Sequence, residues 1–324
     1  MQHSLHSDQR LSCAARTTAL KFQDTICIQY GTPDIRLSMD SHRISADKLT
    51  KPDFRRVRIR VWAKGMAMAG RIDLNCDMGE SFGAFTIGDD AAMLEFVTTA
   101  NVACGFHAGD PVVMRRTIRM AKERGVAVGA HPSFADLYGF GRRRISGERP
   151  EDLETQLIFQ IVAMQGMCAL EGHGMTHVKT HGALGNMAAV DPDLAALCVR
   201  AIRAVDPDIA FITMPYSETF KAADKAGLRT VCEIYADRTY TDQGELTPRS
   251  QSGAVIHDPK QSLEQVLEMV VNGRIPTTGG KKLPVEPETL CVHGDTPGAV
   301  DIVRKLRAAL EANDVEIAPF AVPD

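Results

Sequence analysis

From residue 71 onward the chain alternates between two rhythms. In short runs, apolar and polar residues trade places at every second position; in longer stretches, apolar residues recur every three or four. The short runs fall near 71–76, 99–106, 126–130, 176–180, 208–214, 229–236 and 288–293, and predict seven strands. In six of them one parity is largely apolar: Ile72, Leu74 and Cys76; Val102, Cys104 and Phe106; Val126 and Val128; Val178; Cys232 and Ile234; Leu290 and Val292. The other parity carries Asp73, Asn75 and Asp77; Asn101 and His107; His131; Lys179 and His181; Glu233 and Asp237; His293 and Asp295. Side chains alternate across a strand, so each run packs one face and gathers its chemistry on the other. The fifth run, Ile209-Ala-Phe-Ile-Thr-Met214, lacks a charged end and is expected to serve packing alone.

Capping chemistry marks the longer stretches as helices. Asp110-Pro111, Asp191-Pro192 and Thr296-Pro297 each place a side-chain acceptor before a proline, whose missing N–H costs nothing in a first turn. The longest helix, starting near Pro150, carries Leu153, Leu157, Ile161, Met164 and Cys168 as one stripe, the mark of core packing. Strands separated by helices are parallel and covered on both sides, which leaves an open doubly wound sheet or a closed barrel. Polar strand ends recur on nearly every strand rather than at one switch point, and no Gly-x-Gly-x-x-Gly follows the first strand. The expected fold is an α/β, seven-stranded parallel (β/α) barrel, with ligand-facing loops over about 131–149 and 237–258.

Composition adds limits. A 324-residue chain with 44% hydrophobic and 24% charged residues is ordinary for a soluble globular protein. Residues 1–65 differ: twelve Lys and Arg stand against six Asp and no Glu, so this stretch is +6 and the remainder −10. That remainder disfavours nucleic acid as a partner. The segment 1–65 shows no sustained period and reads as an N-terminal extension, disordered or non-native, with Met66 and Met68 as alternative starts to a single barrel domain over 66–324. The eight cysteines are scattered without Cys-x-x-Cys spacing and read as buried free thiols. No apolar run approaches 18 residues and no basic-then-apolar leader opens the chain, so a cytoplasmic location without a membrane is expected.

The strand ends carry the candidate chemistry. Asp73, Asn75 and Asp77 share a face, and Gly79 delivers Glu80 just beyond the strand. His107, His131, His181 and His293 stand at equivalent ends of parallel strands and are expected to converge at the C-terminal mouth, where barrel enzymes place their sites. Other motifs are set aside. His173 and His177 have helical metal-pair spacing but are expected at the end opposite the mouth. His257 sits at a helix start, and Thr277-Thr-Gly-Gly-Lys-Lys282 fails the P-loop spacing because Ile275 occupies the first glycine's place. Arg142, Arg143 and Arg144 stand as either a solvated face or a loop able to close on an anionic ligand.

The ordered segments Asp73-Leu-Asn-Cys-Asp-Met-Gly-Glu80, Cys104-Gly-Phe-His-Ala-Gly-Asp110, Gly129-Ala-His-Pro-Ser133, Lys179-Thr-His-Gly-Ala183, Ala236-Asp-Arg238 with Pro248-Arg-Ser250, and Val292-His-Gly-Asp295 resemble the LamB/YcsF lactam-utilisation family. The chain departs from the family pattern at Thr180, where proline is usual, and at Gly185, where tyrosine is usual. The resemblance implies a barrel similar to those of glycoside hydrolases and polysaccharide deacetylases. It also implies ATP-dependent opening of 5-oxo-L-proline to L-glutamate, with Mg²⁺ accompanying the nucleotide and two partner subunits of the B and C type. On that reading Asp77 or Glu80 is the base, and His107, His131 and His181 hold the oxyanion or the water. Lys179 and Arg238 neutralise phosphate or carboxylate, with Asp73, Asn75, Glu233, Asp237, Arg249, His293 and Asp295 as further substrate or phosphate contacts. No residue is assigned to a metal. Two alternatives stand: a metal-dependent deacetylase or amidohydrolase with Asp73 or Asp77 plus two histidines on Zn²⁺, and a non-catalytic protein that binds a lactam or carbohydrate for its partners.

Overall fold

In a computed structural model of the chain, residues 70–292, 294 and 298–322 are described, together with a short antiparallel ladder of Cys27–Ile28 on Ile35–Arg36. The chain divides into two compact units, Met1–Ala67 and Met68–Asp324. Apart from that ladder, the extension expected over 1–65 lies outside the described residues.

All seven predicted strands form, as β1 (Arg71–Met78), β2 (Thr99–Ala103), β3 (Ala127–His131), β4 (Met175–Val178), β5 (Ala210–Thr213), β6 (Thr230–Tyr235) and β7 (Thr289–Val292). Each is parallel to the next, and β7 closes the ring on β1, with Thr289 beside Asp73 and Val292 beside Cys76. The sheet is therefore a barrel and has no free edge among these strands. A short β8 (Glu316–Ile317) pairs with the first two residues of β1. Beyond it, Phe320 packs on the inward-facing Ala210, Ile212 and Val231 and meets the His177 ring edge-on at 5.5 Å. Arg71 and Arg229 donate to the carbonyls of Pro319 and Phe320, so this segment lies across the N-terminal end of the barrel.

The helices form where their caps predict. Asp110 opens α2 (Pro111–Glu123) by accepting from the N–H groups of Val112 and Val113, and Asp191 opens α5 (Pro192–Val205) in the same way. Before them, α1 (Asp90–Met93) is a single turn. α3 (Pro150–Glu171) buries Leu153, Leu157, Ile161, Met164 and Cys168, the expected stripe. By length and composition alone α3 is able to cross a membrane, but that stripe packs into the body of the protein. α4 (Gly182–Ala188), α6 (Glu218–Lys225), α7 (Pro259–Val270) and α8 (Ala299–Glu311) complete the layer. The α8 start expected at Thr296-Pro297 lies outside the described residues. A hairpin of Arg274–Pro276 with Lys282–Pro284 closes around the glycine turn that resembled a phosphate loop.

The main core lies between strands and helices. It contains the outward parity of the strands, Ile72, Leu74, Val102, Val128, Val178, Phe211, Ile234 and Leu290, with Met114, Ile118, Met164, Val266 and Val303 from the helices. The other parity points into the barrel, which leaves a polar lumen. The β5 contribution there is apolar, Ala210 and Ile212, as its sequence anticipated.

Candidate active site

The polar groups of the lumen stack from floor to mouth as one hydrogen-bonded column. At the floor the Asp73 carboxylate accepts from the hydroxyls of Thr98 and Thr99 at 2.6 Å each, and from Thr289. Burial pushes the Asp73 pKa up to about 6 against the pull of those hydroxyls. Above it, Asn75 donates to Thr289 at 2.7 Å and accepts from Asn101 at 2.8 Å. Asn101 in turn accepts from His177 Nε2 at 2.8 Å. Burial, with the Lys179 charge beside it, lowers the His177 pKa to about 3, so that ring is neutral. Gly129 makes room for it: a Cβ there would lie 2.3 Å from the imidazole.

The next layer is charged. Lys179 Nζ lies 2.7 Å from Glu233 and 3.1 Å from Asp77, and donates to Asn75 and to Cys291 Sγ at 3.2 Å each. Burial opposes its charge, but Asp77, Cys291 and Glu233 outweigh burial and hold the pKa well above the usual lysine value. Tyr235 donates to the other Glu233 oxygen at 2.7 Å.

At the mouth four side chains converge from four loops or strand ends. Glu80 follows the Gly79 bend, which Asp90 fixes by accepting the Gly79 N–H at 2.9 Å and the Thr117 hydroxyl at 3.1 Å. His107 follows β2, His131 ends β3, and His181 caps α4. Each offers one donor atom, and the four atoms lie within 4.8 Å of one another. His107 stacks on His181 at 3.8 Å with the rings 8° from parallel, and its Nε2 is 3.2 Å from Glu80. Asp77 Oδ2 reaches His131 Nε2 at 3.2 Å, joining this layer to the charged one. Burial, then the neighbouring imidazoles, holds the pKa values of His107 and His181 far down, to about 3 for His181.

The group is closed from above by the loop after β3. Phe140 stands edge-on to both His107 and His181, and its carbonyl accepts a hydrogen bond from His181 Nε2 at 2.9 Å. Gly141, at φ +63°, approaches so closely that a Cβ would meet Ser133, His107 and His181 within 2.8 Å. The three histidines are at most 4% exposed. A pocket lined by Asp77, Glu80, Gly88, Asp90 and Gly294 opens beside the carboxylates. A larger groove of about 660 Å³ lies between α5 and α6, and none of its lining residues belongs to the column.

Asp77, Glu80, His107, His131 and His181 are thus brought together as the sequence led one to expect. Several other placements differ. Asp73 sits at the floor inside its threonine cage. Asn75, Lys179 and Glu233 are committed to one another within the column rather than presented to a phosphate. Arg238 is buried and donates to the carbonyls of Thr247 and Ala254, so it holds the loop after β6 in shape. Asp237 is half-buried and Arg249 exposed on that loop. His293 and Asp295 lie outside the described residues. Arg143 is tied to Asp136. The sequence reading missed Tyr235, Cys291 and the threonine cage. His177, set aside with His173 as lying away from the mouth, is low in the lumen on Asn101, and His173 donates to the Val126 carbonyl.

The chain has close relatives among known proteins. An A-type subunit of 5-oxoprolinase from Rhodopseudomonas palustris is 48% identical over 251 residues, covering 78% of this chain and 99% of its own length. One from Brevibacillus brevis is 49% identical over 247 residues, covering 76% and 97%. The crystal structure of a lactam utilization protein from Thermus thermophilus superposes with a TM-score of 0.73 at 41% identity, covering 77% of this chain and all of that one. The family profile runs from residue 72 in the first barrel strand to residue 323, past the floor segment, and the chain belongs to the LamB/YcsF family.

Proposed function

We propose that the chain is the A-type subunit of a bacterial 5-oxoprolinase and that the mouth of its barrel opens the lactam ring of 5-oxo-L-proline to give L-glutamate. The observation that carries this is the near-complete coverage of relatives bearing that name by the region that builds the mouth. A lactam is resonance-stabilised. Opening it requires a deprotonated water, a stabilised oxyanion and a proton for the departing nitrogen. Asp77 and Glu80 are the carboxylates placed to take the water's proton, and Lys179 holds Asp77 from below at 3.1 Å. Lys179 is a positioning residue here, since its charge is engaged by Asp77 and Glu233. The imidazoles of His107, His131 and His181 face the same space, and burial with the neighbouring imidazoles keeps those of His107 and His181 uncharged.

The nucleotide fits less well. Among the described residues there is no phosphate cradle. The Thr277–Lys282 turn closes on itself through Thr277 N–H to the Lys281 carbonyl at 2.9 Å, and Lys281 pairs with Asp242. ATP and its Mg²⁺ are therefore assigned to the partner subunits or to their interface with this one. Phe82, Phe85, Leu137 and Tyr138, exposed on the loops after β1 and β3, are the apolar groups that such partners would cover.

The test is release of glutamate and ADP from 5-oxoproline, measured for the chain alone and with candidate B- and C-type subunits. The chain alone is expected to give little product and the mixture to give both in step. ATP-independent hydrolysis by the chain alone would overturn the reading and favour a metal-dependent amidohydrolase on the same barrel. The donors for that alternative would be the mouth group rather than Asp73, whose oxygens the threonines occupy.

A further inference from the structure

Carbonyl oxygens only accept hydrogen bonds. Nδ1 of His131, 2.8 Å from the Lys179 carbonyl, and Nε2 of His181, 2.9 Å from the Phe140 carbonyl, therefore both carry protons. A neutral imidazole has only one. Nε2 of His131 and Nδ1 of His181 are then both lone pairs, yet they face each other at 2.9 Å. Two lone pairs at that separation require a cation, either an extra proton on one ring or a metal ion bound by both.

We propose that Glu80, His107, His131 and His181 bind one divalent transition-metal ion of the zinc class. Both outer nitrogens are tied to backbone carbonyls, the arrangement that fixes the tautomer and aim of ligating imidazoles. Glu80 Oε1 adds a carboxylate donor 3.2 Å from His107 Nε2 and 3.8 Å from His181 Nδ1. A tetrahedral zinc site with bonds of about 2.0–2.1 Å has donor-to-donor edges of about 3.3 Å; three of the six edges here, 2.9, 3.2 and 3.8 Å, fall on either side of that value, and all six lie within 4.8 Å. The extra proton would instead put a full charge on rings that are nearly buried, one of them stacked on a third imidazole. Asp77 Oδ2, 3.2 Å from His131 Nε2, suits either cation. Three imidazoles and one carboxylate select zinc or cobalt over Mg²⁺, which prefers oxygen ligands, so this ion is distinct from any carried by the nucleotide.

Binding of such an ion is independent of the substrate and is measured without turnover. Full-length chain, purified without chelator or histidine tag, is analysed for bound metal, then stripped and titrated with Co²⁺ and with Zn²⁺. The expected results are close to one ion per chain, visible Co²⁺ bands of tetrahedral coordination that Zn²⁺ bleaches, and a rise in melting temperature on adding Zn²⁺. His131→Ala and His181→Ala are expected to lose the bands, while His257→Ala, at an exposed site, keeps them. The proposal is overturned if the parent chain shows no stoichiometric ion, no bands and no thermal shift, in which case the cation is a proton. It is also overturned if the bands survive in both mouth variants.

Discussion

The floor and the mouth of the lumen are made from similar polar residues and are almost equally buried, yet only the floor is complete in itself. Around Asp73 the hydroxyls of Thr98, Thr99 and Thr289 meet the carboxylate, and Asn75, Asn101 and His177 continue the chain of donors and acceptors without a gap. At the mouth two lone pairs oppose one another, and Nδ1 of His107 is buried with no hydrogen-bond partner. Burial and charge therefore do not separate scaffold from working groups in this barrel. Whether the hydrogen bonds close does, because an incomplete set persists only where something else completes it.

The strongest way to break that comparison is at the mouth. His131→Ala and His181→Ala are each expected to lower glutamate release by the reconstituted enzyme by about 10²–10⁴-fold while costing about 1–2 kcal/mol in urea unfolding. Normal turnover with a stability loss above about 4 kcal/mol would make these histidines scaffold instead. Lys179→Met attacks the joint between the two regions. It leaves Asp77 and Glu233 buried without their cation and is expected to cost about 3–5 kcal/mol, with part regained in Lys179→Met/Glu233→Gln. No recovery in the double variant would mean the two residues are not coupled.

Asp73 sharpens the comparison by pH. Its folded pKa, about 6, is raised from 3.8, so the native state holds the proton more tightly. The stability it contributes is full below about pH 4 and is lost as pH rises through about 6, a change of about 3 kcal/mol. Asp73→Asn is expected to gain on the parent by that amount between about pH 4 and 7 in urea midpoints. Parallel pH profiles would show that the carboxylate is not burdened by its burial. The smallest effect is expected at the rim: Phe85→Ser and Tyr138→Ser leave stability within about 0.5 kcal/mol but weaken partner binding by about tenfold, roughly 1.4 kcal/mol, as titration of labelled subunits would show.

Much of this was legible in the sequence. The alternation placed seven strands and the fifth strand's apolar role, and proline after aspartate placed α2 and α5. Parity also put His107, His131 and His181 in one mouth, because strand ends in a parallel barrel share a level, and the glycine at 79 signalled that Glu80 is delivered there from just beyond its strand. It could not rank depth, so Asp73 and Lys179 were read as ligand contacts when their neighbours from other strands, Thr289 and Glu233, already satisfy them. Nor does any local pattern mark Phe140 and Gly141 as the cover, since that role depends on how the loop after β3 returns over His107 and His181.

Closure of β7 on β1 has a consequence for how the molecule is made. Asp73 and Thr289 are 216 residues apart in sequence, and Asn75 and Thr289 are 214. A chain emerging from the ribosome displays β1 long before the strand that completes its cage, which follows more than two hundred residues later. Until then the Asp73 carboxylate and the Lys179 ammonium remain in contact with water, because the ring that would enclose them is open. Final enclosure waits for contacts of very long sequence separation, which form slowly, and incomplete chains are left with a hydrated, unsealed sheet edge for quality control to recognise.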